Sequence, residues 1–321
     1  MPDAPAGPHG ALHPQVKLLF DLMAAGRQER VLEAGALRES LAALDPLLNA
    51  GAPEVGREET IWIPGPASEL RARVFHPPGL AADASPPPIL LYAHGGGWVI
   101  MSPESHARLT QELCVGAGAL VVSLDYRLSP EHRYPAALDD CVAALRWLRD
   151  HGAALGGDPA QVAMGGDSAG GNLTAATALL LLANGEAPPS AALMLCPVTD
   201  AHLNTDSYRR FAGDDPLLDA ELMEFFRESY VSREEWEEPF VSPLRANLES
   251  FPPTCVVAAG IDPLYDDAVG FAERLRAAGR EVTLLDYEGM PHIFMAFPGL
   301  DAGPRCLADV TAFLREKLAR G

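Results

Sequence analysis

The chain has 321 residues, 48% of them hydrophobic and 21% charged, an ordinary globular mix that can bury a substantial core. Its formal net charge is −20, with lysine only at Lys17 and Lys317. Such a surface repels phosphate backbones, and no cluster of Lys and Arg reverses the sign, which argues against nucleic-acid binding.

The amino-terminal Met1 to Gly10 is rich in Pro, Gly and Ala and lacks a basic stretch followed by an apolar one, so it does not read as a signal peptide. Residues 12–50 read as helical, with Leu18, Leu19, Leu22 and Met23 at helical intervals, and Gly51-Ala52-Pro53 ends that block. Two alternating segments, Glu58 to Ile63 and Glu69 to Phe75, flank Pro64-Gly65-Pro66 and predict an antiparallel hairpin. Ile89 to Ala93 is a short apolar strand. Further strands are expected at 119–124, 161–165, 191–196, 254–259 and 281–287. Helices are expected at about 105–116, 136–150, 169–184, 264–278 and 303–319. Apolar strands alternating with helices predict an α/β fold with a parallel sheet covered on both faces.

Between Asp200 and Ser250 the alternation breaks. No convincing strand lies there, Asp219 to Val231 reads as a helix, and an insertion leaving the carboxyl end of a strand is well placed to cover a site. The expected division is 1–55 amino-terminal cap helices, 56–199 first part of the core, 200–245 cap insertion, and 246–321 second part of the core. Leu173 to Ala183, the most apolar stretch, is far too short to span a bilayer. Cys114, Cys141, Cys196, Cys255 and Cys306 form no C-x-x-C pair, so no metal or redox pair is expected. The odd, scattered count favours a reducing, cytoplasmic compartment.

Gly166-Asp167-Ser168-Ala169-Gly170 fits G-x-S-x-G and sits between a strand and a helix, the setting of a nucleophile elbow. Small flanking residues let the backbone turn sharply, and the helix amino terminus then faces developing negative charge. The competing reading is an ordinary glycine-rich turn. His94-Gly95-Gly96-Gly97 follows the strand at 89–93, where glycines can turn backbone N–H groups towards an oxyanion. Gly96, Gly97 and Ala169 are the expected donors, with His94 bracing the loop.

In this chain order the acid and the base follow the serine. His292 is the expected base, because the only other histidine after Ser168 is His202, in the insertion. Asp262, on a loop after a predicted strand, is the expected acid, with Asp266, Asp267 and Asp286 as neighbouring alternatives. His292 would take the proton of Ser168 during attack and return it to the leaving group, while Asp262 orients the ring. Activity should then rise with pH as His292 loses its proton. This chemistry requires no metal and no organic cofactor.

At these residues the chain resembles the bacterial hormone-sensitive-lipase-like esterases, a family of α/β-hydrolases, over about residues 55–320. The matching blocks are His94-Gly95-Gly96-Gly97-Trp98, Asp125-Tyr126-Arg127-Leu128-Ser129-Pro130-Glu131, Gly166 to Asn172, Asp262-Pro263-Leu264-Tyr265-Asp266, and Gly289-Met290-Pro291-His292. The resemblance implies an α/β-hydrolase fold with an eight-stranded, mostly parallel sheet and a helical cap. It also implies hydrolysis of short-chain acyl or aryl esters, supports the triad Ser168, Asp262 and His292, and supports the three oxyanion donors. Ser129 stands where the family usually has Ala, a position expected to be structural.

Two rival functions use the same fold: an amidase or arylacetamide deacetylase, and a non-catalytic small-molecule receptor, against which the presence of His292 argues. Trp98 and Phe211 are candidate pocket residues. For most insertion aromatics, among them Phe225, Phe226, Tyr230 and Trp236, plain packing against the core is the weightier expectation. The expected partner is a small-molecule ester, with no nucleic acid and no membrane, and a homodimer is the expected assembly.

Overall fold

The computed structural model describes residues 12–25, 31–79, 85–213 and 217–319. The reading of Met1 to Gly10 lies outside these residues. Eight strands form one sheet in the order β1-β2-β4-β3-β5-β6-β7-β8. They are β1 (Arg57–Pro64), β2 (Glu69–His76), β3 (Pro88–Ala93), β4 (Leu120–Leu124), β5 (Asp158–Asp167), β6 (Ala192–Leu195), β7 (Thr254–Ala259) and β8 (Val282–Tyr287). The first two pair antiparallel as a hairpin, and β2 meets β4 antiparallel. Every other pairing is parallel.

The helices are α1 (Pro14–Ala25), α2 (Ala34–Ala42), α3 (Asp45–Leu48), α4 (Ala107–Ala117), α5 (Ala136–His151), α6 (Ala169–Ala183), α7 (Asp206–Phe211), α8 (Ala220–Tyr230), α9 (Tyr265–Ala277) and α10 (Ala302–Leu318). None of the described helices is long and apolar enough to cross a membrane.

Strand residues divide between the faces with period two. Ile89, Leu91 and Ala93 of β3 join a cluster with α5, α6 and α8. Leu90 and Tyr92 join another, with Leu109 and Leu113 of α4 and Val310 and Leu314 of α10. With both faces covered, β4 and β7 are buried throughout, which is why their sequences are continuous rather than alternating.

Helix α8 starts with Asp219, whose carboxylate accepts the Leu222 N–H, a local reason for the helix to begin there. Its buried Leu222, Met223 and Phe226 share a core with Ala34 and Leu37 of α2 and with Trp98 and Val99. The segment after β6 and helix α2 therefore pack together beside the loop after β3, whereas Val16 of α1 joins the other cluster.

Candidate active site

Strands β3, β5, β6, β7 and β8 run parallel, so the loops at their carboxyl ends share one edge of the sheet. That edge is where an open α/β sheet presents a site. Ser168 links β5 to α6 with φ 53° and ψ −116°. A non-glycine residue at positive φ carries strain of roughly 1–3 kcal/mol, which the surroundings must hold in place. Here Ser168 N–H donates to Leu195 O at 2.8 Å, and Ser168 O accepts from Asn172 N at 3.1 Å. Gly170 is forced by proximity: a Cβ there would lie 1.9 Å from Ala93 O.

The loop after β3 turns through Gly96 at φ 108° and Gly97 at φ 58°. A Cβ on Gly97 would also sit 2.2 Å from the Phe226 ring of α8. Gly97, Trp98, Ser168 and Ala169 line one cavity with Met223 and Phe226, a space of about 500 Å³ that includes its open mouth. Sequence reasoning about the aromatics thus divides. Trp98, Phe226 and Tyr230 line this cavity. Phe225 and Trp236 pack against the core. Phe211 is not among the lining residues; it is partly buried against the other cluster, which includes Met290 and Phe294.

Asp262 and His292 meet in a buried pair, with Nδ1 of the imidazole 2.7 Å from Asp262 Oδ2. The other carboxylate oxygen accepts the Leu264 N–H at 2.8 Å, and Leu264 itself reaches the cavity. Backbone bonds stitch the two loops together, from Gly260 N to Tyr287 O at 2.9 Å and from Ile261 N to Met290 O at 3.0 Å. The alternative acids are engaged elsewhere. Asp266 accepts the Ser207 N–H, Asp267 accepts those of Thr199 and Asp200, and Asp286 accepts the Tyr265 hydroxyl. Cys196 follows Leu195 at the end of β6; its Sγ, a ring nitrogen of His292 and a carboxylate oxygen of Asp262 lie within 4.8 Å of one another. These are the only three-residue donor set of metal-ligating type found among the described residues.

A second buried aspartate–histidine pair escaped the sequence reading. Asp167, the residue before the serine, accepts the Tyr92 hydroxyl at 2.7 Å and the Gly95 N–H at 3.0 Å on Oδ1, and Oδ2 lies 3.2 Å from Nε2 of His106. Burial alone would raise the Asp167 carboxyl, but the adjacent His106 overrides it and holds the value down to about 2. Burial likewise works against the His106 cation, yet the Asp167 carboxylate leaves its value raised. Ser105 Oγ donates to Ser102 O and so accepts from His106 Nδ1 at 2.8 Å. Both nitrogens of this ring are donors. His94 is held differently: burial first, and then the charge of His106, lower its value to about 3. Its Nδ1–H donates to Gly95 O at 2.7 Å, and its ring stacks on Tyr126 at 4.3 Å. It is a neutral prop for the glycine loop.

Arg38 of α2 is the other residue the sequence did not single out. It donates to Val99 O and Ser129 O at 2.8 Å each and grips both oxygens of Glu131 at 2.8 Å. No local pattern marked it, because its partners lie 61 to 93 residues away.

Residues 90–296 match a protein family described as the α/β hydrolase fold. The chain belongs to that family. It is 39% identical to carboxylesterase NlhH of Mycobacterium tuberculosis, over 76% of this chain and 77% of that protein. It is also 39% identical to an ethyl acetate hydrolase of Pseudomonas putida, over 70% and 71%. Among solved structures, a hyperthermophilic esterase from the archaeon Pyrobaculum calidifontis superposes with a TM-score of 0.90 at 34% identity, covering 95% of this chain and 98% of that one. Within the family the chain is a carboxylesterase of the hormone-sensitive-lipase-like kind.

Proposed function

We propose that this carboxylesterase cleaves short-chain acyl or aryl esters through a covalent acyl-enzyme on Ser168. The observation that carries this reading is the buried Asp262–His292 pair at 2.7 Å, on the same sheet edge as a strained serine that opens onto a cavity. Asp262 fixes the imidazole with Nδ1 protonated, and Nε2 then takes the proton of the Ser168 hydroxyl as the oxygen attacks. The N–H groups of Gly96, Gly97 and Ala169 receive the oxyanion. Each such donor typically contributes about 10²–10³ in rate. Collapse of the intermediate expels the alcohol with the proton from His292, and water repeats the cycle on the acyl-enzyme.

Residues 1–55 and 200–245 act as a cap on a core made of 56–199 and 246–321; the shared packing of α2, α8 and Trp98 supports this division. Five buried free thiols support a reducing, cytoplasmic setting, which fractionation of the native cell tests. The mass in solution checks the homodimer expectation. The deciding experiment is a series of p-nitrophenyl esters from acetyl to hexanoyl. Rapid turnover that Ser168→Ala removes is expected, by a factor of roughly 10⁴ or more. Binding without turnover, or anilides cleaved faster than esters, would overturn the proposal.

A further inference from the structure

The start of α4 touches the loops that carry both reacting side chains of the proposed mechanism. His106, just before the helix, has Nε2 3.2 Å from Oδ2 of Asp167, and Asp167 immediately precedes Ser168. Two residues on, Arg108 reaches the other loop. Its Nη2 donates to Met295 O at 3.2 Å and to Ala296 O at 2.7 Å, three and four residues after His292. Arg108 is buried, only 8% exposed, and its Nε and Nη1 are engaged as well. Nε donates to Leu48 O at 3.1 Å and Nη1 to Glu112 Oε1 at 2.6 Å. Asn49, at the end of α3, adds a second tie: it accepts the Arg108 N–H at 2.9 Å and donates to Glu104 O at 2.8 Å.

The link from Arg108 to His292 is short and stiff. Phe294 N donates to Pro291 O at 3.2 Å, closing a turn around His292 and Ile293, and Ala296 N donates to Ile293 O at 2.8 Å. Ile293 holds φ 45°, a strained conformation for a β-branched residue that the surroundings must maintain. Phe294 and Met295 are buried, so the carbonyls that Arg108 grips belong to a packed segment. Resting on the esterase reading above, we infer that Arg108 is a positioning residue: it holds the His292 loop at a set distance from the Ser168 elbow, with the start of α4 as the common frame. It does not line the Ser168 cavity, so it acts through the base. A misplacement of about 1 Å in such a frame can cost on the order of 10² in rate.

The test separates a displaced base from a merely weakened fold. Ethyl butyrate and p-nitrophenyl butyrate share an acyl group, but only the ethyl ester needs a proton from His292 to lose its alcohol; p-nitrophenolate leaves unaided. The ratio of kcat/KM for the ethyl over the p-nitrophenyl ester is measured in the wild type, Arg108→Ala and Arg108→Lys. The amount of folded enzyme cancels within each ratio. In Arg108→Ala the ratio should fall about tenfold, part of the 10²–10⁴ that a well-placed general acid contributes. Arg108→Lys keeps the charge beside Glu112 but loses the planar fork, and its ratio should fall about threefold; it carries the test should the alanine variant not fold. A ratio within a factor of about 1.5 of the wild type in every variant that folds would overturn the inference, however far the absolute rates drop. Hydrolysis of both esters, lost in Ser168→Ala, tests the underlying activity separately.

Discussion

Two buried aspartate–histidine pairs lie on the sheet edge that carries Ser168, and the proposed mechanism gives them opposite tasks. Asp262–His292 joins the loops after β7 and β8 at 2.7 Å. Asp167–His106 ties the elbow to the segment before α4 at 3.2 Å and also holds the Gly95 N–H and the Tyr92 hydroxyl. In the second pair both ring nitrogens of His106 are committed, to Asp167 and to Ser105. With both N–H groups given to protein acceptors, His106 serves as a cation that anchors a carboxylate. The same residue types thus serve as a strut in one pair and, on the proposed mechanism, as the acid and base that activate Ser168 in the other.

Four substitutions separate the two roles. The largest effect is expected from Asp262→Asn, which disturbs the orientation and tautomer of His292: kcat should fall by roughly 10⁴ while the melting temperature moves little. A variant that stays within tenfold of the wild type would assign the acid elsewhere. Next is Asp167→Ala, which strips His106 of its counter-charge and releases the glycine loop. Breaking a buried pair should destabilise by about 3 kcal/mol, read by urea unfolding, with a rate loss of about 10² from the slackened oxyanion loop. Unchanged stability would show that the strut bears no strain.

The third is a pH dependence. His106 is raised above its ordinary 6.5, so the stability it contributes is complete below 6.5 and fades as pH climbs through the folded value. Asp167 is held at about 2 against an ordinary 3.8, so its share is complete above 3.8 and fades as pH falls towards 2. His94, lowered to about 3, makes the fold lose stability as pH drops below 6.5, because the unfolded chain gains a proton that the buried ring refuses. Unfolding free energies measured against pH should therefore decline above 6.5 in the wild type and decline less in His106→Gln. Parallel curves would mean that His106 is not charged in the fold. The smallest effect is Ser129→Ala, which removes a hydroxyl that donates to His132 O at 3.1 Å. A loss of about 1 kcal/mol or less, with unaltered kcat, is expected from thermal melts and ester assays.

Much of the sheet could be read from the chain because strand character depends on near neighbours. The apolar run at 254–259 and the alternation in the hairpin declare their own burial, and the observed strands fall within a few residues of those expected. Ser168 was visible for a similar reason, since its strained turn writes its needs into adjacent glycines. His106 and Arg38 were hidden because their importance arises only when distant loops meet. Phe211 misled because aromatic character shows that a residue packs, not which cluster receives it. The loops at 260–264 and 289–293 offered Asp262 as the acid and His292 as the base, with three neighbouring aspartates as alternatives, and of the four it is Asp262 that pairs with His292 in the fold.

The grip of Arg38 on Val99 O and Ser129 O has a practical side for anyone grafting amino-terminal segments between related enzymes to alter their substrate range. The transplanted piece also supplies one of the tethers of the loop behind the glycine turn. A graft that omits the guanidinium should turn over every substrate more slowly, and that uniform loss could be mistaken for a change in selectivity.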